Sequence, residues 1–223
     1  MNQTQVDQSK YLSYVLRHHP DTINLYLRHD GYARTDELLA KANRNYNLDL
    51  ATLVKIVAED DKNRFQFNED MTLIRATQGH SIDGLDLGFA EVVPPSELFH
   101  GTSYSAFLQI TKTGITKQQR HHVHLSVDID TASKVGKRHK PTGIVKGVIL
   151  RIDALRMHKD GLKFWISENG VYLTEYVDFK YVFGIQLVTL NRPSVHCSLE
   201  QAVTFDTGAV ESRQVDSCQG NQT

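Results

Sequence analysis

Cysteine is nearly absent from this chain, with two residues, Cys197 and Cys218, among 223. Two cysteines, both close to the C-terminus, form neither a disulfide framework nor a zinc-binding pattern, so a reducing cytosol is the expected compartment. Long apolar runs are missing as well. No stretch reaches the ~18 apolar residues of a membrane-spanning helix, and the opening MNQTQVDQSK has no apolar centre that would suit a secretory signal. Charge of one sign is also lacking. A net charge of −1 excludes a surface coated in positive charge for nonspecific nucleic-acid binding, yet leaves room for a local basic site. There is no Walker loop and no G-x-G-x-x-G after a strand, so the common phosphate cradles are absent.

Histidine, by contrast, is plentiful, with eleven residues, several beside an arginine. Such pairs occur at 17–18, 28–29, 120–121 and 138–139. A protein of near-zero net charge that gathers guanidinium and imidazole groups has the means to build an anion pocket. The first pair falls in LSYVLRHHPDTINL. Tyr11, Leu12, Val15 and Leu16 form one helical face, and Pro20 stops the helix at His19 or just before. Arg17 and His18 therefore project from a helix end, on or beyond the edge of its apolar face.

The rest of the first 80 residues predicts further helices and a hairpin. DGYARTDELLAKAN reads as a turn, a short strand and a helix capped by Thr35, with Asp36 and Glu37 in its first turn. A helix beginning near Asp49 buries Leu53, Val54, Ile56 and Val57. RFQFNEDMTLIRA alternates and returns on itself as a hairpin. Helices followed by a hairpin describe a winged-helix-like unit over residues 1–80. Residues 81–97, rich in glycine and proline, read as a linker.

Residues 98–192 change character. LFHGT is a strand, SYSAFLQITKTG a helix with Ala106, Phe107 and Ile110 inward, and Gly114 its stop. VHLSV, GIVKGVILRI and YVFGIQLVTL are strands, DIDTASKVGKRH a helix, and Asn169-Gly170 signals a two-residue hairpin. The fold class is α+β. From 193 to 223 the chain is polar and predicts a disordered tail, whose removal from 194 onward is expected to leave activity nearly unchanged.

Three constellations carry possible chemistry. His121, His122 and His124 in HHVH lie close in sequence, but no acidic or cysteine partner stands near, so no metal site is expected. His100, Gly101 and Thr102 end a strand, where a glycine lets a ligand approach the backbone. HLS, with Ser126, is a second strand of similar kind. Arg17, Arg64 and Arg120 occupy exposed-type positions. A guanidinium reads a phosphomonoester bidentately, though periodicity cannot bring the three together.

Taken in order, SKYLSYVLRHHP, DKNRFQFN, IRATQGHS, LFHGT, RHHVHLS, KVGKRH and FWISENGVYLT resemble the RNA 2′-phosphotransferases, from about residue 9 to residue 185. The resemblance implies a winged-helix lobe joined to an ADP-ribosyltransferase-like lobe. It also implies NAD⁺-dependent removal of an internal RNA 2′-phosphate, such as a tRNA splice junction carries. The products would be 2′-OH RNA, nicotinamide and ADP-ribose 1″,2″-cyclic phosphate. By position, Arg17, His18, Arg64 and Arg120 form the implied catalytic phosphate site, with Lys62 as a helper. His100, Gly101, Thr102, Ser126 and Arg138 are the implied NAD⁺ contacts. Many ADP-ribosyltransferases place a glutamate late in the lobe, where this chain has Val171, and Glu168 nearby is not expected to be catalytic. The expected protein is a cytoplasmic monomer acting on 2′-phosphorylated RNA, with NAD consumed, no metal and no membrane. The alternative is an ADP-ribosyltransferase that modifies a nucleic-acid phosphate or a protein and lacks the second step.

Overall fold

The computed structural model describes residues 3–42, 46–138, 141–142, 144–190 and 194–204. The mixed α+β chain forms two compact units. Unit 1 holds the chain up to Ala90 together with Gln118–His121 and Ile166–Gly170, and unit 2 holds the remainder. The main break thus falls at Ala90, inside the stretch read as a linker, and two short later segments belong to unit 1. Among the described residues no helix is long and apolar enough to cross a membrane.

Unit 1 begins with α1 (Gln3–Arg17), longer than the apolar face alone suggests. Leu12, Val15 and Leu16 are fully buried, and truncating either leucine to alanine would cost about 2–5 kcal/mol. The helix closes where Pro20 requires: the N–H groups of His18 and His19 both donate to the Tyr14 carbonyl, at 3.1 and 3.0 Å. A single 3-10 turn, Pro20–Ile23, follows. Then come β1 (Ala33–Arg34), α2 (Thr35–Ala42) and α3 (Leu50–Ala58). Asp49 caps α3 by accepting from the Thr52 N–H at 2.8 Å. Thr35 is not the expected cap; it is the first residue of α2, and its hydroxyl donates to the Met71 carbonyl at 2.8 Å. Strands β2 (Phe65–Phe67) and β3 (Leu73–Ala76) make the expected hairpin, and β1 joins it to give the antiparallel order β1-β3-β2.

Unit 2 is organised by an antiparallel sheet of order β13-β12-β8-β5. Its strands are β5 (Glu97–Thr102), β8 (Val145–Asp153), β12 (Val182–Thr189) and β13 (Val195–Cys197). A second sheet has the order β4-β9-β10-β7, with β4 (Ala90–Glu91), β7 (Val123–Leu125), β9 (Trp165–Ile166) and β10 (Tyr172–Thr174). β6 (Ile115–Thr116) pairs with β11 (Tyr176–Val177). Helices α4 (Tyr104–Thr113), α5 (Ile129–Gly136), α6 (Ala154–Lys159) and α7 (Leu199–Thr204) complete the unit. Leu98, Phe107, Leu125, Leu150, Phe164 and Leu187 are fully buried in its core.

Two expectations are corrected. The tail is structured as far as 204: β13 adds to β12, and Val195 and Ala202 are buried in the core. Tyr104 Oη donates to the carbonyls of Ala202 and Val203, at 2.7 and 3.0 Å. The polar sequence hid a strand that needs only alternate apolar residues once an open sheet edge is offered. Cys197 lies half-buried in that strand, and Cys218 lies outside the described residues. Asn169-Gly170 makes a longer loop than a two-residue hairpin. The turn runs from Ser167, whose carbonyl accepts the Gly170 N–H at 2.8 Å, and Asn169 Nδ2 donates to the Lys62 carbonyl at 2.9 Å. Asn169 stays inside this turn, its Oδ1 accepting from Ser167 Oγ at 2.8 Å while its amide reaches across to Lys62.

Candidate functional site

Unit 1 brings Arg17, His18, Arg64 and Arg120 into one electrostatic neighbourhood. Arg17 is the last residue of α1, and its Nη2 lies 3.5 Å from the Arg64 carbonyl oxygen. Arg64 leads into β2 and is fixed from behind. The buried carboxylate of Asp60 pairs with its guanidinium and also accepts backbone N–H groups of the loop between them. Arg120 comes from the later segment 118–121, which is anchored by its neighbour. The His121 N–H donates to the His80 carbonyl at 3.3 Å, and His121 Nε2–H donates to the Ile82 carbonyl at 2.8 Å.

The peptide 79–81 completes the neighbourhood. Gly79 takes φ +88, a left-handed conformation that favours glycine, and turns the chain beneath Arg17. The Ser81 N–H then donates to the Arg17 carbonyl at 3.0 Å, while Ser81 Oγ sits 2.9 Å from His18 Nδ1. One serine thereby orients both members of the helix-end pair.

These groups repel one another. Burial, then the charges of Arg64 and Arg120, push the Arg17 pKa down to about 10. Burial, then Arg17 and Arg120, lower that of His18, so its imidazole is neutral near pH 7. His80, 1% exposed, is pushed down to about 3 by burial and by the charge of Arg17, and neither ring nitrogen has a hydrogen-bond partner. Arg17 Nε is likewise buried without a hydrogen bond. The carboxylate that offsets Arg17 is Asp60, already engaged by Arg64. Three mutually repelling guanidinium groups suit an anion of more than one negative charge.

The implied nucleotide contacts lie in unit 2. His100, Gly101 and Thr102 end β5, and Ser126 bridges to Phe99 through paired backbone hydrogen bonds of 2.8 Å. His100 Nδ1–H donates to the His124 carbonyl at 3.2 Å, which fixes the orientation of the ring. Gly101 has a different reason from the one expected. A Cβ there would stand 1.9 Å from the Ala132 carbonyl oxygen, so the missing side chain admits α5 against β5. Thr102 is buried, and Arg138 is exposed just past α5. The HHVH histidines are used separately: His121 on Ile82 in unit 1, and His122 against Trp165 at 5.1 Å in unit 2. Among the described residues no group of three or more His, Cys, Asp or Glu could hold a metal. Glu168 is paired with Arg75 at 2.6 Å.

Sequence reasoning left Asp60, Gly79, His80 and Ser81 without roles. Asp60 had a readable signal, a carboxylate four residues before Arg64. The other three lie in the quoted motif IRATQGHS, but nothing local says that they turn beneath a helix end.

An α+β protein with a guanidinium cluster suited to a multiply charged anion is the class that fold and site define. The comparisons narrow it. Residues 3–176 match the family model described as RNA 2′-phosphotransferase, Tpt1 / KptA family. The chain is 46% identical over 178 residues to a probable RNA 2′-phosphotransferase of Fusobacterium nucleatum, covering 79% of this chain and 97% of that protein. It is 47% identical over 175 residues to one of Agrobacterium fabrum (78% and 91% covered), and 44% over 177 to one of Escherichia coli (79% and 94% covered). The chain belongs to the RNA 2′-phosphotransferase family.

Proposed function

We propose that this protein removes an internal 2′-phosphate from RNA, as at a tRNA splice junction, with NAD⁺ as the consumed co-substrate. The observation that carries the reading is the mutual repulsion of Arg64 and Arg120 with the buried Arg17 guanidinium. A 2′-phosphomonoester has a second pKa near 6 and is mostly dianionic at neutral pH, so it is already nucleophilic and needs charge and positioning rather than a general base. Arg17, Arg64 and Arg120 hold it, and the orphaned Arg17 Nε is a donor waiting for an acceptor.

Residues of unit 2 fit the nucleotide in part. The imidazole of His100 and the hydroxyl of Ser126 can each hydrogen-bond a ribose hydroxyl. Gly101 and Thr102 serve through the position of the strand end, and Arg138 is free of helix constraint to meet a phosphate. When bound, NAD⁺ supplies an electrophilic anomeric carbon, C1″, and nicotinamide as leaving group. The RNA phosphate oxygen bonds to C1″ as the nicotinamide bond breaks. The 2″-hydroxyl of the ADP-ribosylated RNA then bonds to phosphorus, and the RNA 2′-oxygen leaves with a proton. Charge grows on the phosphoryl oxygens in that second step, where Arg64 and Arg120 stabilise it. His18, neutral near pH 7 and oriented by Ser81, is positioned to take the hydroxyl proton.

The element order of unit 1, helices closed by a three-stranded antiparallel sheet, supports a winged-helix lobe. The paired antiparallel sheets of unit 2 support an ADP-ribosyltransferase-like lobe. The test is incubation of internally 2′-phosphorylated RNA with NAD⁺. Equal amounts of 2′-OH RNA, nicotinamide and ADP-ribose 1″,2″-cyclic phosphate are expected. Accumulation of ADP-ribosylated RNA without the cyclic phosphate would overturn the two-step reading in favour of a transferase that stops after the first.

A further inference from the structure

We infer that Tyr14 and His19 form an exposed stacking platform for a nucleobase of the RNA strand next to the 2′-phosphate. The inference rests on the phosphate reading of Arg17 and His18 and adds to it how the enzyme grips the rest of the chain.

Tyr14 lies one helical turn before His18 on α1, and its ring is 44% exposed. The His19 ring, 51% exposed at the side chain, packs against it with centroids 4.7 Å apart and planes at 32°. The backbone brings the two residues together: the Tyr14 carbonyl accepts from the N–H of His18 and of His19, and Pro20 follows. The His18 and His19 rings are 6.4 Å apart, a step that one nucleotide of an extended strand can bridge. From Arg17 the aromatic contacts therefore run through His18 and His19 to Tyr14, the last two both exposed.

The aromatic edge continues past Tyr14. Tyr11 and Tyr46 stack at 4.2 Å, and with Tyr14, Thr22 and Ile23 they line one groove of unit 1. A contiguous run of partly exposed aromatics, unlike a single one, marks a candidate interaction surface. Beside a cationic cluster they match single-stranded RNA, whose bases stack on aromatic faces while its phosphates meet arginines. Every base has a π-face, so such a platform holds RNA without demanding a sequence.

The test uses the full-length chain and a short single-stranded RNA with one internal 2′-phosphate, bound without NAD⁺ at fixed salt. The probes carry a natural or an abasic nucleotide on each side of the phosphate in turn. Tyr14→Ala is expected to weaken binding of the natural RNA about tenfold, as loss of one base stack does, and Tyr14→Phe to retain it. Tyr26→Ala, which removes another exposed tyrosine of unit 1, is expected to bind as wild type. On RNA abasic at the platform side, wild type should bind about tenfold more weakly and Tyr14→Ala should add nothing. Equal binding by Tyr14→Ala and wild type overturns the inference. So does an equal loss on natural and abasic RNA, since that marks a structural role. Turnover separates the two readings. Cyclic phosphate formed with no effect at Tyr14 sinks the platform alone, whereas base-dependent binding with no cyclic phosphate sinks the reaction alone.

Discussion

The two candidate sites differ in how their groups are satisfied. In unit 1 the cations around Arg17 push against each other, Arg17 Nε and both His80 ring nitrogens are buried without hydrogen bonds, and the nearby Asp60 carboxylate is already committed to Arg64. In unit 2 the implied nucleotide contacts end paired strands, His100 is bonded to a backbone carbonyl, and Gly101 is filled by a helix. The first region holds electrostatic strain that an anion relieves. The second is a settled scaffold whose contribution is shape. Unit 1 thus gathers charge that repels itself, whereas the strand ends of unit 2 are held by backbone pairing and helix packing.

Four measurements would break or sharpen that contrast. The largest effect belongs to unit 1: Arg17→Ala or Arg120→Ala is expected to cut turnover by about 10²–10³-fold, the cost of one lost donor to a developing oxyanion. Thermal unfolding should stay at or above the wild-type midpoint, because a repelled cation has been removed. Wild-type turnover would take these residues out of the mechanism. In unit 2 the opposite balance is expected. Gly101→Ala should destabilise by about 1–3 kcal/mol in denaturant unfolding, because α5 must shift away from the new methyl group. A variant of unchanged stability with weakened NAD⁺ binding would show that the glycine serves a ligand after all.

Acid should weaken unit 1 in particular. The folded pKa of His80, about 3, lies below its ordinary 6.5, so the unfolded chain binds more protons between those values. Stability from this group is full above about pH 6.5 and is lost as pH falls toward 3, at up to about 1.4 kcal/mol per pH unit. His18 is shifted in the same direction. Replacing His80 with leucine should flatten the acid limb of the stability profile, and an unchanged limb would contradict the burial of a neutral ring. The smallest effect is at the tail. Tyr104→Phe leaves the Ala202 and Val203 carbonyls without their donor and should cost about 0.5–1.5 kcal/mol, measured as a shift in denaturant midpoint.

Much of the architecture was legible. The apolar spacing of Leu12, Val15 and Leu16, the stop at Pro20, the helix start near Asp49 and the alternation of RFQFN each act within a few residues, and each of these elements is present. Failures came where a distant partner intervened. Asn169 was drawn to the Lys62 carbonyl, Thr35 to Met71, and the polar stretch 195–204 to the edge of β12 and the hydroxyl of Tyr104. Of the candidate site, the arginines and His18 were nameable from motifs, whereas Asp60, Gly79, His80 and Ser81 were not assigned a role.

The sequence by itself determined the periodic elements, the family and the residue types available for anion binding, since these depend on local pattern and order along the chain. Only the tertiary structure decided that Gln118–His121 joins unit 1, that Ser81 holds both Arg17 and His18 in place, and that Gly101 makes way for α5. Those outcomes depend on which backbone groups meet across long separations, and mutual repulsion among Arg17, Arg64 and Arg120 exists only once the chain has brought them near.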